Sequence, residues 1–464
     1  MVFSSFIFLW IFLPIVFIGY FLLQDKYKNI FLLLGSLIFY AWGEPLYILL
    51  MLFSILINYV FGILIDKDRP YRNLLLIISL IFNIGILGYY KYVGFLVEVI
   101  NNLTGRNIEL PDVALPIGIS FYTFQILSYI IDVYRGESSP QKNIINLALY
   151  ISFFPQLIAG PIVKYKNINE QLINRKCTIE KTGEGIRRFI IGLGKKIIIA
   201  NTVAKCADAI FALDLINVTG ILAWMGAICY TLQIYYDFSG YSDMAIGLGR
   251  IFGFEFQENF RYPYLSASVQ EFWQRWHISL GTWFREYLYI PLGGNRMGNI
   301  RTYINLFVVF CITGLWHGAN YNFLLWGGAY GILQIIERMG FKRFLTKHRL
   351  FSHIYMVLIF TFGWVLFRAD PLKQVIGFME RMILPWKYKE SMFVTAKIFG
   401  NKTVLIIILG ILGCGIVQQL LAKMKLFDRL RNSYLEIIYC GFIFVLCISM
   451  LAGNTYNPFI YFKF

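Results

Sequence analysis

The chain has 464 residues, 58% of them hydrophobic and 15% charged, and a formal net charge of +16. Soluble domains carry about 25% charged residues, so an array of soluble domains is excluded, and so is a disordered chain, which needs low hydrophobicity. Seven scattered cysteines without a C-x-x-C pair exclude a secreted disulfide scaffold. What remains is a polytopic integral membrane protein, in which +16 reports topology and contact with anionic lipid rather than nucleic acid.

A spanning helix needs about 20 mostly apolar residues. Apolar runs lie near 3–23, 30–43, 45–65, 73–90, 115–131, 143–163, 186–203, 219–236, 238–254, 303–316, 321–336, 351–368, 402–422 and 435–452. Several are too short or too broken to span alone. The pattern predicts an all-α integral membrane protein with about eleven spans plus re-entrant and interfacial helices. The first run has no positive region before it and is followed by Lys26 and Lys28, which argues against a cleaved signal peptide and for an outer N-terminus. No internal repeat, linker or low-complexity tract is visible, so residues 1–464 read as one domain.

The basic residues cluster. One group is Lys67, Arg69 and Arg72. The largest runs from Lys164 and Lys166 through Arg175, Lys176, Lys181, Arg187 and Arg188 to Lys195 and Lys196. The others are Arg338–Arg349 and Lys423, Lys425, Arg429 and Arg431. The positive-inside rule makes all four cytoplasmic, and leaves the mixed-charge loop 373–402 unassigned. Parity then favours a segment at 143–163, "NIINLALYISFFPQLIAGPIVKY" with its surrounding residues, that enters and returns on the same side; a plain kinked span with an exception to the charge rule is the alternative. Pro155, Gly160 and Pro161 break its second half, as a re-entrant segment buried in protein allows.

Polar residues in an apolar chain mark functional sites by default, and they concentrate in 233–320. In "QIYYDFSGYSDMAIGLGRIFGFEFQENFRYPYL", Asp237 and Asp243 share a helical face only if Gly240 breaks the helix. Structural pairing with Arg250 or Arg261 competes with direct chemistry for either. The stretch "SVQEFWQRWHISLGTWFREYLYIPLGGNRMG" reads as an amphipathic interfacial helix with Trp273, Trp276 and Trp283 in an aromatic belt. Arg275, Arg285 and Arg296 suit either a phosphate-bearing donor or lipid headgroups.

His317 stands between apolar arms of 303–316 and 321–336, with Gly314, Gly318 and Asn320 supplying turn chemistry. Basic residues flank the pair on both sides. The arms should therefore enter from the cytoplasm and turn within the membrane, carrying His317 with them. Of the four histidines, His348 and His353 lie in a basic loop and read as solvated. A buried neutral imidazole at His317 or His277 suits a general base for a hydroxyl; a structural histidine satisfied by a carbonyl is the plain alternative. No nucleophile elbow and no metal-ligand spacing accompanies them.

At these residues the chain resembles the membrane-bound O-acyltransferase family, closest to the branch of the alginate O-acetylase membrane subunit. The likeness rests on "LPIGISFYTFQILSYIIDVYRG", "FFPQLIAGPI", "YYDFSGYSDMAIGLGRIFGFEFQENF", "RWHISLGTWFREYLYIPLGGNR", "GLWHGANYNFLLWG", "GWVLFRAD" and "NPFIYFKF", in this order along nearly the whole chain. Gln274, Gly281 and Glu286 depart from the pattern. The resemblance implies helices enclosing a through-membrane tunnel and a multi-pass enzyme of the plasma or inner membrane. No bound cofactor is implied. The donor would be acetyl-CoA or another acyl thioester on the cytoplasmic side, and the acyl group would pass to a hydroxyl reached from outside. It further implies an extracytoplasmic lipase-like acetyltransferase as partner and a polysaccharide as final acceptor. The catalytic histidine falls on His317, with His277 as the second functional histidine. Trp276, Trp316, Arg275, Asn320, Asp237 and Tyr241 form the expected substrate-contacting set. The competing readings are D-alanyl transfer to teichoic acid from a carrier protein and, more remotely, a transporter or flippase without chemistry.

Overall fold

The computed structural model describes residues 1–66, 71–111, 113–388, 398–424, 433–453 and 456–460. Lys67, Arg69, Lys425, Arg429, Arg431 and the last four residues lie outside the described residues. The described chain is helical, with no strand among its residues. Five helices are long and apolar enough to cross a membrane, and a sixth span results if one bent pair counts as a single crossing. Other apolar helices are shorter: Asp25–Ala41 and Ile119–Arg135 have 17 residues each and Tyr321–Ile336 has 16.

The chain divides into two compact units that interleave in sequence. The first comprises Met1–Phe189, Met244–Gln257 and Arg285–Tyr287. Its helices are α1 (Leu13–Leu22), α2 (Asp25–Ala41), α3 (Tyr47–Leu64), α4 (Arg72–Thr104), α5 (Ile119–Arg135), α6 (Ile144–Ser152), α7 (Phe154–Leu157) and α8 (Tyr165–Asn174). Polar residues on α3 and α4 pair across the helices: Asn58 and Asn83 exchange amide hydrogen bonds at 2.9 and 2.8 Å. Such bonds satisfy groups that lipid cannot.

The segment after α5 turns back on itself. α6 runs for nine residues and stops at Phe153, and the chain returns so that the Tyr150 hydroxyl donates to the Val163 carbonyl at 2.8 Å. Tyr165 then lies against Gln141, the residue from which the segment set out, at 3.2 Å. Entry and exit at one level are the geometry expected of a re-entrant segment. Beside it, Glu286 pairs with Lys164 at 2.8 Å and Lys166 at 3.0 Å, so part of the largest basic cluster is neutralised.

The second unit comprises Ile190–Asp243, Glu258–Phe284 and Leu288–Phe464. Helix α9 (Ile179–Gly194) leads into a π-helical turn, Lys195–Ala200, and then α10 (Asn201–Phe211). Helix α11 follows as Gly220–Ile251. The sequence reading of two spans, 219–236 and 238–254, is corrected: they form one helix of 32 residues, about 48 Å long at 1.5 Å per residue. Gly240 does not break it. A methyl at Gly240 would meet the Gly192 carbonyl and Lys195, so the glycine serves close helix approach.

Asp237 and Asp243 therefore lie on different faces. Asp237 pairs with Lys196 at 2.6 Å, both side chains at most 3% exposed, and Asp243 pairs with Lys195 at 2.6 Å. The expected partners Arg250 and Arg261 are not used; Arg250 pairs with Glu184 at 3.1 Å. Lys196 is thus a buried counter-ion and Lys195 a partly buried one, and both stand in helical structure rather than a loop. The described C-terminal segment lies along the same helices. The Ile460 N–H donates to Asp237 Oδ2 at 2.9 Å, Lys196 donates to the Pro458 carbonyl, and Phe459 stacks on Tyr241 at 4.8 Å.

Short helices α12 (Val269–Arg275) and α13 (Ile278–Phe284) precede a hairpin of α14 (Gly298–His317) and α15 (Tyr321–Ile336). α14 has 20 residues and qualifies as a span. The expected short first arm is corrected, because the polar residues 298–302 continue the helix. Gly314, Gly327 and Gly331 let the two backbones touch, as small residues do between membrane helices. A methyl at Gly314 would overlap the Phe323 carbonyl, which cannot rotate away. Gly314→Ala is therefore expected to destabilise the protein by about 3 kcal/mol or more, read as thermal unfolding in detergent, whereas the open Gly441 should tolerate Ala.

The remaining helices are α16 (Lys342–Lys347), α17 (Arg349–Arg368), α18 (Leu372–Ile383), α19 (Asn401–Gly413), α20 (Ile416–Lys423) and α21 (Tyr434–Ala452). α19 and α20 are the bent pair, at 50°. His348 and His353 are exposed, as expected. The loop that charge left unassigned is tied down at the Arg368 end of α17. Gln374 donates to the Phe211 carbonyl at 2.7 Å and Arg381 to the Val218 carbonyl at 2.8 Å. This is the end opposite the basic Arg338–Arg349 cluster.

Candidate active site

His317 is the last residue of α14 and is 3% exposed. Its ring is surrounded by other rings: Trp316 at 5.0 Å, Trp326 of α15 at 5.3 Å and Phe367 of α17 at 5.3 Å. The hairpin brings Trp326 to it, because the glycine contacts fix the register of α15 on α14.

His277 lies in the break between α12 and α13, 1% exposed, with φ +44°. This left-handed conformation is strained for a residue with a side chain and persists only where the surroundings over-determine it. Three contacts do so. Its Nδ1 lies 3.1 Å from Asn259 Oδ1, its ring stands edge-on to Phe238 at 4.6 Å, and Trp316 lies 6.0 Å away. Burial, and secondarily the nearby His317, holds the His277 imidazole well below its ordinary pKa, so it is neutral at pH 7.

Trp276 is 2% exposed. It packs on Trp364 at 4.8 Å and Phe260 at 5.0 Å. Phe260 meets Phe238 at 4.9 Å, and Trp364 meets Trp326 at 6.0 Å. The contacts close on themselves. His317, Trp326, Trp364, Trp276, Phe260, Phe238, His277 and Trp316 form a circuit of eight rings with neighbours 4.6–6.0 Å apart. The expected interfacial tryptophan belt is corrected accordingly: Trp276 and Trp283 are core residues. Interface and core tryptophans give the same local pattern of Trp beside Arg, and only tertiary contact separates them.

The other expected site residues divide. Trp316 belongs to the circuit and separates the two histidines. Arg275 pairs with Glu271 one turn back at 2.5 Å and is about one-third exposed; Arg285 and Arg296 are exposed. Asn320 caps α15 by accepting from the Asn322 N–H at 3.1 Å and donates to Asp370 at 3.2 Å. It also lines a cavity of about 200 Å³ with Asn322, Phe367, Arg368, Asp370 and Phe459. Phe367 joins this cavity to the His317 environment. Asp237 and Tyr241 are packed by Lys196 and the C-terminal segment and are not members of the circuit.

Sequence reasoning missed Trp326, Trp364, Phe238, Phe260 and Asn259. It also missed Glu337, a 2%-exposed carboxylate that accepts from the Val269 and Gln270 N–H groups at 2.6 and 3.1 Å and so anchors α12. The available signal for Asn259 and Glu337 was a polar residue in an apolar context.

A model of the membrane-bound O-acyltransferase family matches residues 135–368, which include both histidines. A probable alginate O-acetylase of Pseudomonas putida is 40% identical over the whole of both chains. A peptidoglycan O-acetyltransferase of Helicobacter pylori is 36% identical over 82% of this chain and 80% of its own. A teichoic acid D-alanyltransferase of Bacillus subtilis is 29% identical over 55% of this chain and 69% of its own. The chain, a multi-pass membrane enzyme of acyl transfer, therefore belongs to the membrane-bound O-acyltransferase family.

Proposed function

We propose that this enzyme passes an acetyl group from a cytoplasmic thioester to a hydroxyl reached from the outer side, for O-acetylation of an extracellular or cell-wall polysaccharide. The donor is acetyl-CoA or an acylated carrier. The final acceptor is served by an extracytoplasmic lipase-like acetyltransferase, and the enzyme resides in the plasma or inner membrane. The single observation that carries the reading is the circuit of eight rings with its two buried histidines on either side of Trp316.

In this mechanism neutral His317 takes the proton of the acceptor hydroxyl as its oxygen attacks the thioester carbonyl. The carbon–sulfur bond breaks, and the leaving thiolate recovers the proton from the His317 imidazolium. Trp276, Trp316, Trp326 and Trp364 keep water from the thioester, whose hydrolysis is the competing reaction. The cavity bordered by Asn320, Arg368 and Asp370 suits a hydroxyl-rich acceptor approaching from the end opposite the basic loops.

Acetylation is favoured over D-alanylation by its relatives' higher identity and longer match. Vesicles containing the protein, loaded inside with acetyl-CoA labelled in the acetyl group, are expected to deliver label to a hydroxylated acceptor outside. Label carried instead from D-alanyl carrier protein would select the rival enzyme. Movement of an intact solute without ester formation would select the transporter.

A further inference from the structure

The tautomer of His277 is fixed by the backbone around it. Asn259 Oδ1 faces three groups: His277 Nδ1 at 3.1 Å, the Ser279 N–H at 3.2 Å and the Ser279 hydroxyl at 2.9 Å. A backbone N–H can only donate, so the amide atom beside it must be the oxygen; the flipped amide would set donor against donor. That same oxygen faces Nδ1, so Nδ1 carries the imidazole proton. The Asn259 carbonyl accepts from the Ile278 N–H at 3.0 Å, which holds the two segments in register. Nε2 is left with a lone pair. It is fully buried and has no hydrogen-bond partner among the described residues. A buried acceptor without a partner is destabilising, and a bound ligand that donates to it recovers the loss.

We infer that Asn259 is a positioning residue that locks His277 as an acceptor-only group, and that Nε2 takes a hydrogen bond from an amide N–H of the acyl donor. This rests on the proposed acyl-transfer reading. A neutral imidazole with its proton on Nδ1 has none to give the thioester carbonyl from Nε2. The phosphopantetheine arm common to CoA and to carrier proteins offers amide N–H groups close to its sulfur, and so fits this acceptor in either donor.

The test uses the full-length enzyme in vesicles with acetyl-CoA as donor. Asn259→Leu keeps the size of the side chain and removes the oxygen. Nδ1 then loses its carbonyl acceptor and keeps the Ser279 hydroxyl, 3.5 Å away and released to donate to it, so the proton is free to move to Nε2, and the donor KM is expected to rise about tenfold with the acceptor KM unchanged. A merely structural lesion would move both. Asn259→Asp keeps the oxygen and adds a charge that favours the imidazolium. A protonated Nε2 cannot accept, so the acid limb of kcat/KM is expected to move to higher pH with activity retained above it. Among the described groups packed on His277, Phe238 from α11 and Trp316 from α14 do not titrate, and His317 is the titratable neighbour.

A wild-type donor KM in Asn259→Leu overturns the inference. So does an unshifted acid limb in Asn259→Asp, which also decides the matter if the Leu variant fails to fold. The underlying reading fails separately: His317→Ala that still forms acetyl ester removes acyl transfer by this site altogether, whatever Asn259 does.

Discussion

His317→Ala is expected to lower acetyl-ester formation by about 10²–10⁴-fold, the range general-base catalysis supplies, while the protein still folds and inserts. The substitution deletes a ring from the end of α14 but leaves the hairpin contacts of Gly314, Gly327 and Gly331 intact, and the Gly318 N–H still donates to the Gly314 carbonyl. The stability loss should stay at about 1–3 kcal/mol, in the range of ordinary core truncations. Quantifying ester on the acceptor, together with detergent melting, separates the two effects. Full ester formation in a folded variant would sink the assignment. His317→Gln should be as inactive as His317→Ala, because an amide keeps hydrogen bonding but is not a base near neutral pH.

Lys196→Met should cost about 3–5 kcal/mol of stability, the largest effect expected away from the histidines. It would leave the Asp237 carboxylate buried with the Ile460 N–H as its remaining partner among the described residues. Adding Asp237→Leu should recover most of that loss, since replacing both members of a buried pair by apolar residues is often neutral. Thermal unfolding of the four proteins of the cycle measures this coupling. Transfer activity of the double variant, measured below its melting temperature, should stay near wild type. Its selective loss would return Asp237 to the substrate-contacting set, and additive stabilities would show that the pair is uncoupled.

Apolar run length and charge made much of this fold legible. The hairpin at His317, the turn-back at 143–163 and the exposed His348 and His353 all rest on local pattern. What stayed hidden depends on contacts between distant segments. The continuity of α11 through Gly240 depends on α9 lying close enough to need a glycine. The counter-ions of Asp237 and Asp243 come from a π-helical turn, whose extra residue shifts Lys195 and Lys196 onto α11 and which no periodicity reveals. The site divided in the same way. Both histidines and two of the tryptophans were readable from their motifs. Trp326 and Trp364 were not, because each sits in an apolar run where a tryptophan needs no special explanation. Asn320 and Arg275 were readable as polar residues, but their first partners are a helix end and a neighbouring glutamate.

The circuit of eight rings also makes the site optically visible. Four of the chain's ten tryptophans are in it, held at fixed, unequal angles to their neighbours. Indoles held rigidly in an asymmetric array give near-ultraviolet circular dichroism, a signal lost when specific packing loosens even if the helices survive. The integrity of the candidate site can therefore be followed apart from any turnover, in a silent variant as readily as in an active one.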